Sequence, residues 1–161
     1  MVNFDQILDN LFVGSCPKTI EDIESLIQAG ISAVLNLQTD ADFVVQEIDW
    51  NVVLDGYRAN SIHIDRLQIV DFDEEDFIQL LPEATGRVSE LIENGHTVYV
   101  HCTAGSERSP GVVTSYLAWY QDMSMAQALA FVQARRKCTP YVVTLNKADK
   151  RYRNRPERTP E

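Results

Sequence analysis

The chain has 161 residues, of which 45% are hydrophobic and 24% charged, and its formal net charge is −10. This length and composition predict one globular domain with a single core. No apolar run reaches the length of a membrane span and the N-terminal segment lacks a secretion or import signal, so we expect a cytoplasmic protein. The acidic charge predicts no nucleic-acid partner, and three scattered cysteines (Cys16, Cys102, Cys138) indicate neither a disulfide framework nor a metal site.

The first half of the chain alternates short apolar runs with amphipathic or polar stretches. A strand is expected over 11–16, followed by a capped amphipathic helix within 19–30. The nearly continuous apolar run at 31–38 predicts a strand that is covered on both faces. A short helix is expected near 43–49, and the alternation at 61–67 predicts another strand.

The second half is richer in predicted helices. An acid-rich loop at 69–78 leads into a long helix over about 74–93, which Pro82 is expected to kink or split. The remaining elements are a strand at 97–101, a turn at 102–108, and helices at 109–121, 124–137 and 141–152. Strands alternating with helices predict an α/β fold with a mainly parallel central sheet flanked by helices. We assign residues 1–152 to one domain and 153–161 to a polar C-terminal tail.

The stretch VYVHCTAGSERSPGVV, residues 98–113, carries the clearest chemical signal. It places Cys102 between an apolar strand and a helix, where backbone N–H groups converge and the helix dipole favours an anion and a thiolate. The five residues TAGSE bring Arg108 back over the sulfur, and a guanidinium forks onto two phosphate oxygens. Ser109 suits the helix N-cap and Pro110 the first helical position. This spacing predicts a phosphate-binding loop.

The reaction that such a loop supports is phosphoryl transfer through a covalent intermediate. Cys102 attacks phosphorus, while Arg108 and the loop N–H groups hold the oxygens on which charge develops. Ser109 stabilises the thiolate when it leaves, and His101 orients the loop by hydrogen bonds. No metal or cofactor is required. The residues expected to bind the phosphate group are therefore those around the nucleophile: His101, Thr103, Ala104, Gly105, Ser106 and Glu107.

An acid must protonate the leaving alkoxide, and a base must then activate water. The acid-rich segment VDFDEED is the natural source, with Asp71 as first choice and Asp73 as the reserve. For Asp73, Glu74 and Glu75, capping of the following helix is the favoured interpretation.

The segment VYVHCTAGSERSP resembles the HCxxGxxRS signature of the cysteine-dependent dual-specificity phosphatases of the protein tyrosine phosphatase superfamily. Further segments, LFVGSCPKTIEDIESLIQAGISAVLNLQTDAD, VDFDEEDF and RRKCTPYVVTLNKA, resemble the phosphatase domain of the plant glucan phosphatases, which are relatives of laforin. The resemblance covers residues 3 to 150. It implies that Cys102 is the nucleophile, Arg108 the phosphate binder, Asp71 the general acid and Phe72 a substrate contact.

Two departures from the glucan phosphatase pattern bear on the substrate. Ser106 and Glu107 replace a long aliphatic residue and a glycine, and the aromatic pair expected after LQxDxD is absent, since the chain has Phe43, Val45 and Gln46 there. Sugar rings stack on aromatic side chains, so this loss weakens a glucan platform. We expect the Glu107 carboxylate to point outward and pair with a basic neighbour.

Several functions stay open at this stage. The preferred one is a dual-specificity protein phosphatase acting on phosphotyrosine and phosphoserine/threonine, and a glucan (starch or glycogen) phosphatase is close behind. A phosphoinositide phosphatase, a phosphate-binding module without turnover, and an arsenate reductase or sulfur-transfer enzyme are the remaining alternatives. The expected partner is a phosphorylated substrate, either a phosphoprotein or a phosphoglucan.

Overall fold

A computed structural model of the chain describes residues 1–156, and within them a five-stranded sheet lies between two layers of helices. The strand order is β1-β2-β5-β3-β4; β1 runs antiparallel to β2, and the other three pairings are parallel. The strands are β1 (Phe4–Leu8), β2 (Leu11–Gly14), β3 (Ala33–Asn36), β4 (His63–Arg66) and β5 (Val98–His101). The predicted α/β fold with a mainly parallel central sheet is confirmed.

The described part of the chain has seven helices, of which the first four connect strands and the last three follow β5. Their bounds are α1 (Ile20–Gln28), α2 (Asp40–Val45), α3 (Trp50–Ala59), α4 (Glu74–Glu93), α5 (Arg108–Tyr120), α6 (Met125–Gln133) and α7 (Val142–Arg153). Buried residues of α1 and α3 form the core on one face of the sheet, and those of α4 to α7 form the core on the other face.

The central strand β5 shows how one short sequence serves both cores. Val98 and Val100 belong to the core beneath α4 to α7, whereas Tyr99 belongs to the core beneath α1 and α3. All three are fully buried, as expected for a strand whose side chains alternate between two covered faces. In register with its last residue, His101, lie Gly14 of β2 and Asn36 of β3. The carboxyl ends of three parallel strands therefore meet at one edge of the sheet.

Three predicted details are wrong. The antiparallel edge strand β1 was missed because FDQIL is short and half polar. The short helix expected near 43–49 is replaced by two helices, α2 and α3, separated by residues 46–49, of which Asp49 is the N-cap of α3. Of the two outcomes expected at Pro82, a split of α4 is wrong because the helix is continuous, whereas a kink there stays a prediction. In the proposed tail, α7 extends one residue past 152, and residues 157–161 lie outside the described residues.

Candidate active site

Cys102 directly follows β5 and begins a tight turn, residues 102–108, which we call the cysteine loop. The Cys102 side chain lies at the sheet edge and is 2% exposed. Gly105, in the middle of the loop, has a φ of +68°, and a Cβ on it would lie 2.5 Å from the carbonyl oxygen of Gly14. The loop backbone therefore packs against β2 so closely that only glycine fits.

In the cysteine loop, the backbone carbonyl groups have hydrogen-bond partners in the protein, whereas most of the backbone N–H groups do not. Each carbonyl from residue 102 to residue 106 accepts a hydrogen bond from outside the turn: from His101 Nδ1, Cys16 N, Arg136 Nη2, Arg136 Nε and Thr139 N, in that order. Within residues 1–156, the N–H groups of 103–107 donate to no protein acceptor. Five consecutive N–H groups without a protein acceptor are suited to bind an anion.

Ser109 lies inside the helix, not at its cap. Helix α5 begins at Arg108 after Glu107, so the predicted N-cap at Ser109 and first helical position at Pro110 are wrong by two residues. The closure of the loop, which turns Arg108 toward the site, sets this start. Ser109 Oγ lies 3.3 Å from Cys102 Sγ and 3.3 Å from the Gly14 carbonyl oxygen. A thiolate has no proton to donate, so the Ser109 hydroxyl donates to Sγ when Cys102 is ionised.

Arg108 is 5% exposed and is held by four groups. Nη1 donates to Asp42 Oδ2 at 2.8 Å and to the Ile69 carbonyl oxygen at 2.9 Å. Nη2 lies 3.4 Å from Thr103 Oγ1, and Nε lies 3.4 Å from Asp71 Oδ1. Burial lowers the pKa of Arg108, but the hydrogen bond to Asp42 and the neighbouring acids outweigh it and raise the pKa, so the guanidinium stays charged.

Asp42 is a site residue that sequence reasoning missed. Burial raises its pKa, but the hydrogen bonds from Arg108 and Thr39 have the larger combined effect and keep the pKa below its ordinary value. The carboxylate also closes the capping box of α2 with Thr39. The Thr-x-x-Asp pattern in LQTDAD signals that cap, whereas nothing in the sequence signals contact with an arginine 66 residues away.

The acid-rich loop before α4 separates the two candidate general acids. Asp71 faces Arg108, and its Oδ1 also accepts from the Phe72 N–H at 3.1 Å. Asp73 is the N-cap of α4, and its side chain accepts from the Asp76 N–H at 3.0 Å. Phe72, between them, has a φ of +60° and is 80% exposed. The loop therefore places Asp71 beside the cysteine loop and occupies Asp73 in helix capping.

His101 is buried at the end of β5 and lies 5.4 Å, ring to ring, from Tyr99. Its Nδ1 is 3.0 Å from the Cys102 carbonyl oxygen and must be the protonated nitrogen, because a carbonyl only accepts. Burial, followed by the charge of Arg108, lowers the pKa of His101 to about 4. The ring is therefore neutral near pH 7 and fixes the first peptide of the loop.

An apolar groove of about 400 Å³ runs from Arg108 and Asp71 along the start of α7. Its walls include Phe72, Phe77 and residues 140–145, and acids stand along its rim. Tyr141 and Phe72 are 51% and 80% exposed. A substrate whose phosphate sits in the cysteine loop would lay its neighbouring groups along these side chains.

Glu107 does not have the basic partner expected from the sequence. No lysine or arginine of residues 1–156 forms an ion pair with it. Its carboxylate lies instead beside the Tyr141 hydroxyl, and this contact raises the pKa of Tyr141. The acid therefore stands at the mouth of the groove, where it adds negative charge.

Residues 1–156 lack two further features. No group of three or more His, Cys, Asp or Glu side chains is placed to hold a metal ion. No helix there combines the length and the apolar character that crossing a bilayer requires.

Comparison with known proteins agrees with this geometry. A family model described as the catalytic domain of dual specificity phosphatases matches residues 11–146. The chloroplastic phosphoglucan phosphatase LSF1 of Arabidopsis thaliana is 34% identical over 139 residues, which cover 86% of this chain and 24% of LSF1. Laforin of Mus musculus is 30% identical over 146 residues, covering 84% of this chain and 44% of laforin. The chain thus spans less than half of the length of these relatives.

A solved structure shows the same fold. Tk-PTP in its active form aligns with a TM-score of 0.76 and 20% identity, covering 94% of this chain and 97% of that one. The fold places a cysteine and an arginine on one loop at the carboxyl end of a central strand, in the order that the sequence pattern predicted. The chain belongs to the dual specificity phosphatase family, as the sequence resemblance predicted.

Proposed function

We propose that this chain hydrolyses phosphate monoesters of proteins through a cysteinyl-phosphate intermediate on Cys102. The observation that carries the proposal is the division of polar groups in the cysteine loop. Every carbonyl of residues 102–106 is bonded away from the turn, and the N–H groups of 103–107 have no protein acceptor within residues 1–156. N–H donors whose positions are set before the substrate binds stabilise the negative charge that develops on the phosphoryl oxygens in the transition state.

In the first step, Cys102 Sγ attacks phosphorus and the P–O ester bond breaks. Arg108 Nε and Nη2 bind phosphoryl oxygens, because Asp42 already holds Nη1. The phosphate takes over the contact that Nε makes with Asp71 at 3.4 Å. Asp71, released from the guanidinium, takes up a proton from the solvent as the phosphate dianion binds beside it, and then gives that proton to the leaving alkoxide.

In the second step, Asp71, now a carboxylate, takes a proton from water. The resulting hydroxide attacks phosphorus, the P–S bond breaks and inorganic phosphate leaves. The Ser109 hydroxyl, 3.3 Å from Sγ, donates a hydrogen bond to the departing thiolate. Asp71 is favoured over Asp73 for both proton transfers, since Asp73 is engaged as the N-cap of α4.

Charge and shape favour a phosphoprotein as the substrate. The groove offers apolar walls to the residues on either side of a phosphorylated side chain. Ligands with several phosphates, as in the polyphosphoinositides, are disfavoured by the four acids of the groove lining, which are Asp71, Asp73, Glu74 and Glu107. In the LQTDAD segment, Phe43 stacks on Trp50 at 5.1 Å and is 8% exposed, so it offers no surface to a sugar ring.

A phosphoglucan is the second candidate. Two exposed aromatic rings, Phe72 and Tyr141, flank the groove and have faces on which a sugar ring can stack. LSF1, 34% identical to this chain, is a phosphoglucan phosphatase by name. This candidate shares every chemical step with the first and differs only in what lies along the groove.

We also propose that residues 1–152 are the catalytic domain and 153–161 a polar tail, supported by the stacking of Tyr152 on Trp119 at 3.9 Å. The cytoplasmic location and the lack of a nucleic-acid partner stay predictions. LSF1 is a chloroplastic protein, so a plastid is the alternative location for this chain. Fractionation of the source cells decides between the two.

The testing experiment measures phosphate release from three substrates side by side: a phosphotyrosine and phosphoserine peptide set, phosphorylated amylopectin, and mixed phosphoinositides. Cys102→Ser provides the blank. We expect the highest kcat/KM on the peptides. Highest activity on amylopectin would select the second candidate. No release from any substrate, including an aryl phosphate, would replace the enzyme by a phosphate-binding module.

A further inference from the structure

We infer that Arg136, which follows α6 and lies outside the cysteine loop, is a positioning residue for phosphate binding. This inference rests on the proposed function. Arg136 is 5% exposed, and its Nε donates to the Gly105 carbonyl oxygen at 2.8 Å. Its Nη2 lies 3.4 Å from the carbonyl oxygen of Ala104. One guanidinium thus holds two consecutive carbonyls of the loop.

Because the peptide bond is planar, a contact that fixes a carbonyl also fixes the direction of the N–H group in the same peptide. In a trans peptide, the carbonyl of one residue and the N–H of the next point in opposite directions. Holding the carbonyls of Ala104 and Gly105 outward therefore directs the N–H groups of Gly105 and Ser106 inward. Arg136 consequently orients two of the five N–H groups that have no protein acceptor within residues 1–156.

The third nitrogen of the guanidinium fixes the position of Arg136 itself. Nη1 donates to Asn3 Oδ1 at 2.9 Å and forms an ion pair with Asp5 Oδ2 at 2.8 Å. Burying a guanidinium is unfavourable unless it is paired and fully hydrogen-bonded. Arg136 meets this condition by bridging β1 and the loop. A Cβ on Gly105 would lie 2.7 Å from Nη2, so little space is left for the loop to shift.

Lysine cannot reproduce this arrangement, because an ammonium group is a compact charge without the planar fork that reaches two carbonyls. Arg136→Lys therefore keeps the charge and removes the orientation of the carbonyls. Arg135→Lys is the matched control, since Arg135 is exposed and lies over the Phe131 ring, 3.4 Å from its centre. The two variants make the same chemical change at neighbouring positions.

The first readout is steady-state hydrolysis of an aryl phosphate with inhibition by orthovanadate. For Arg136→Lys we expect kcat to fall by roughly 10- to 100-fold and vanadate inhibition to weaken by a similar factor, because donors directed at the transition state are lost. KM should change by less than about threefold. Arg135→Lys should match the wild type within about twofold. A folded Arg136→Lys protein that equals the wild type in kcat and vanadate inhibition would overturn the inference.

The second readout is NMR with inorganic phosphate as the probe. In the wild type, the amide resonances of Gly105 and Ser106 should shift on addition of phosphate, and in Arg136→Lys these two shifts should shrink while that of Thr103 persists. If the wild type shifts but releases no phosphate from any ester, the proposed function fails and the inference stands. If Arg136→Lys does not fold, the wild-type Arg136 Nε–H decides: exchange with water as fast as that of exposed arginines would contradict its bond to Gly105.

Discussion

Replacing Gly105 by alanine tests the close packing of the cysteine loop against β2. Gly105 has a φ of +68°, and an added Cβ would lie 2.5 Å from the Gly14 carbonyl oxygen and 2.7 Å from Arg136 Nη2. The left-handed conformation costs a residue with a Cβ about 1–2 kcal/mol. Overpacking a tight site costs about 1–3 kcal/mol more, because the nearest contact is backbone and yields little. We expect Gly105→Ala to lower the free energy of unfolding by about 2–5 kcal/mol.

Gly95→Ala is the control that separates the two contributions. Gly95 has a φ of +87°, but nothing lies within 4 Å of its would-be Cβ, so only the conformational cost of about 1–2 kcal/mol applies. Urea unfolding gives both stabilities, and hydrolysis of an aryl phosphate gives both activities. Displacing the loop should lower kcat of Gly105→Ala by about 100-fold, as when one fixed donor is lost, and leave Gly95→Ala unaffected. Equal stability losses, with full activity in Gly105→Ala, would refute the packing argument.

Three further predictions concern ionisable residues. Asp71→Asn should lower kcat on phosphopeptides by about 10²- to 10⁴-fold. Asp73→Asn retains a capping side chain and should leave steady-state kcat within about twofold of the wild type. A larger loss of kcat in Asp73→Asn than in Asp71→Asn would exchange the roles of the two residues. Asp42→Ala removes the carboxylate bound to Nη1 of the buried Arg108 and leaves only the longer contact of Nε with Asp71. The urea-derived free energy of unfolding should fall by about 2–4 kcal/mol, and a loss below about 1 kcal/mol would contradict the pairing. His101 has a folded pKa of about 4, below its unfolded value of 6.5, so its contribution to stability is complete above pH 6.5 and is lost as the pH falls toward 4. Relative to His101→Asn, the free energy of unfolding of the wild type should drop by about 3 kcal/mol over this range. Parallel pH curves for the two proteins would contradict the burial of His101 as a neutral ring.

The nucleophile and its loop were predictable because their geometry is local. Seven consecutive residues, 102–108, follow a buried strand and precede a helix, and this order alone brings Arg108 near Cys102. Asp71 was found because its loop, like that of Cys102, follows the carboxyl end of a sheet strand. Parallel strands bring such loops to one edge. The order of strands and helices along the chain was therefore sufficient to place Cys102, Arg108 and Asp71 at one edge of the sheet.

The supporting contacts were not predictable because they join distant parts of the chain. Arg108 meets Asp42 across 66 residues, and Arg136 meets Asp5 across 131. These pairs depend on how α2, β1 and the end of α6 pack, which no local pattern encodes. The cap of α5 was misassigned for the opposite reason. Ser109-Pro110 is a good local start signal, but loop closure around the phosphate position moves the start of the helix to Arg108.

The most direct test of the central claim is detection of phosphate on Cys102. The protein is mixed with an aryl phosphate, quenched in acid within the first turnovers, digested and analysed by mass spectrometry. We predict one phosphoryl group on the peptide that contains Cys102, absent in Cys102→Ser, and a burst of phenol matching the amount of enzyme if the second step is slower. Sustained turnover by Cys102→Ser, or turnover by the wild type with no phosphorylated cysteine at any quench time, would contradict the claim.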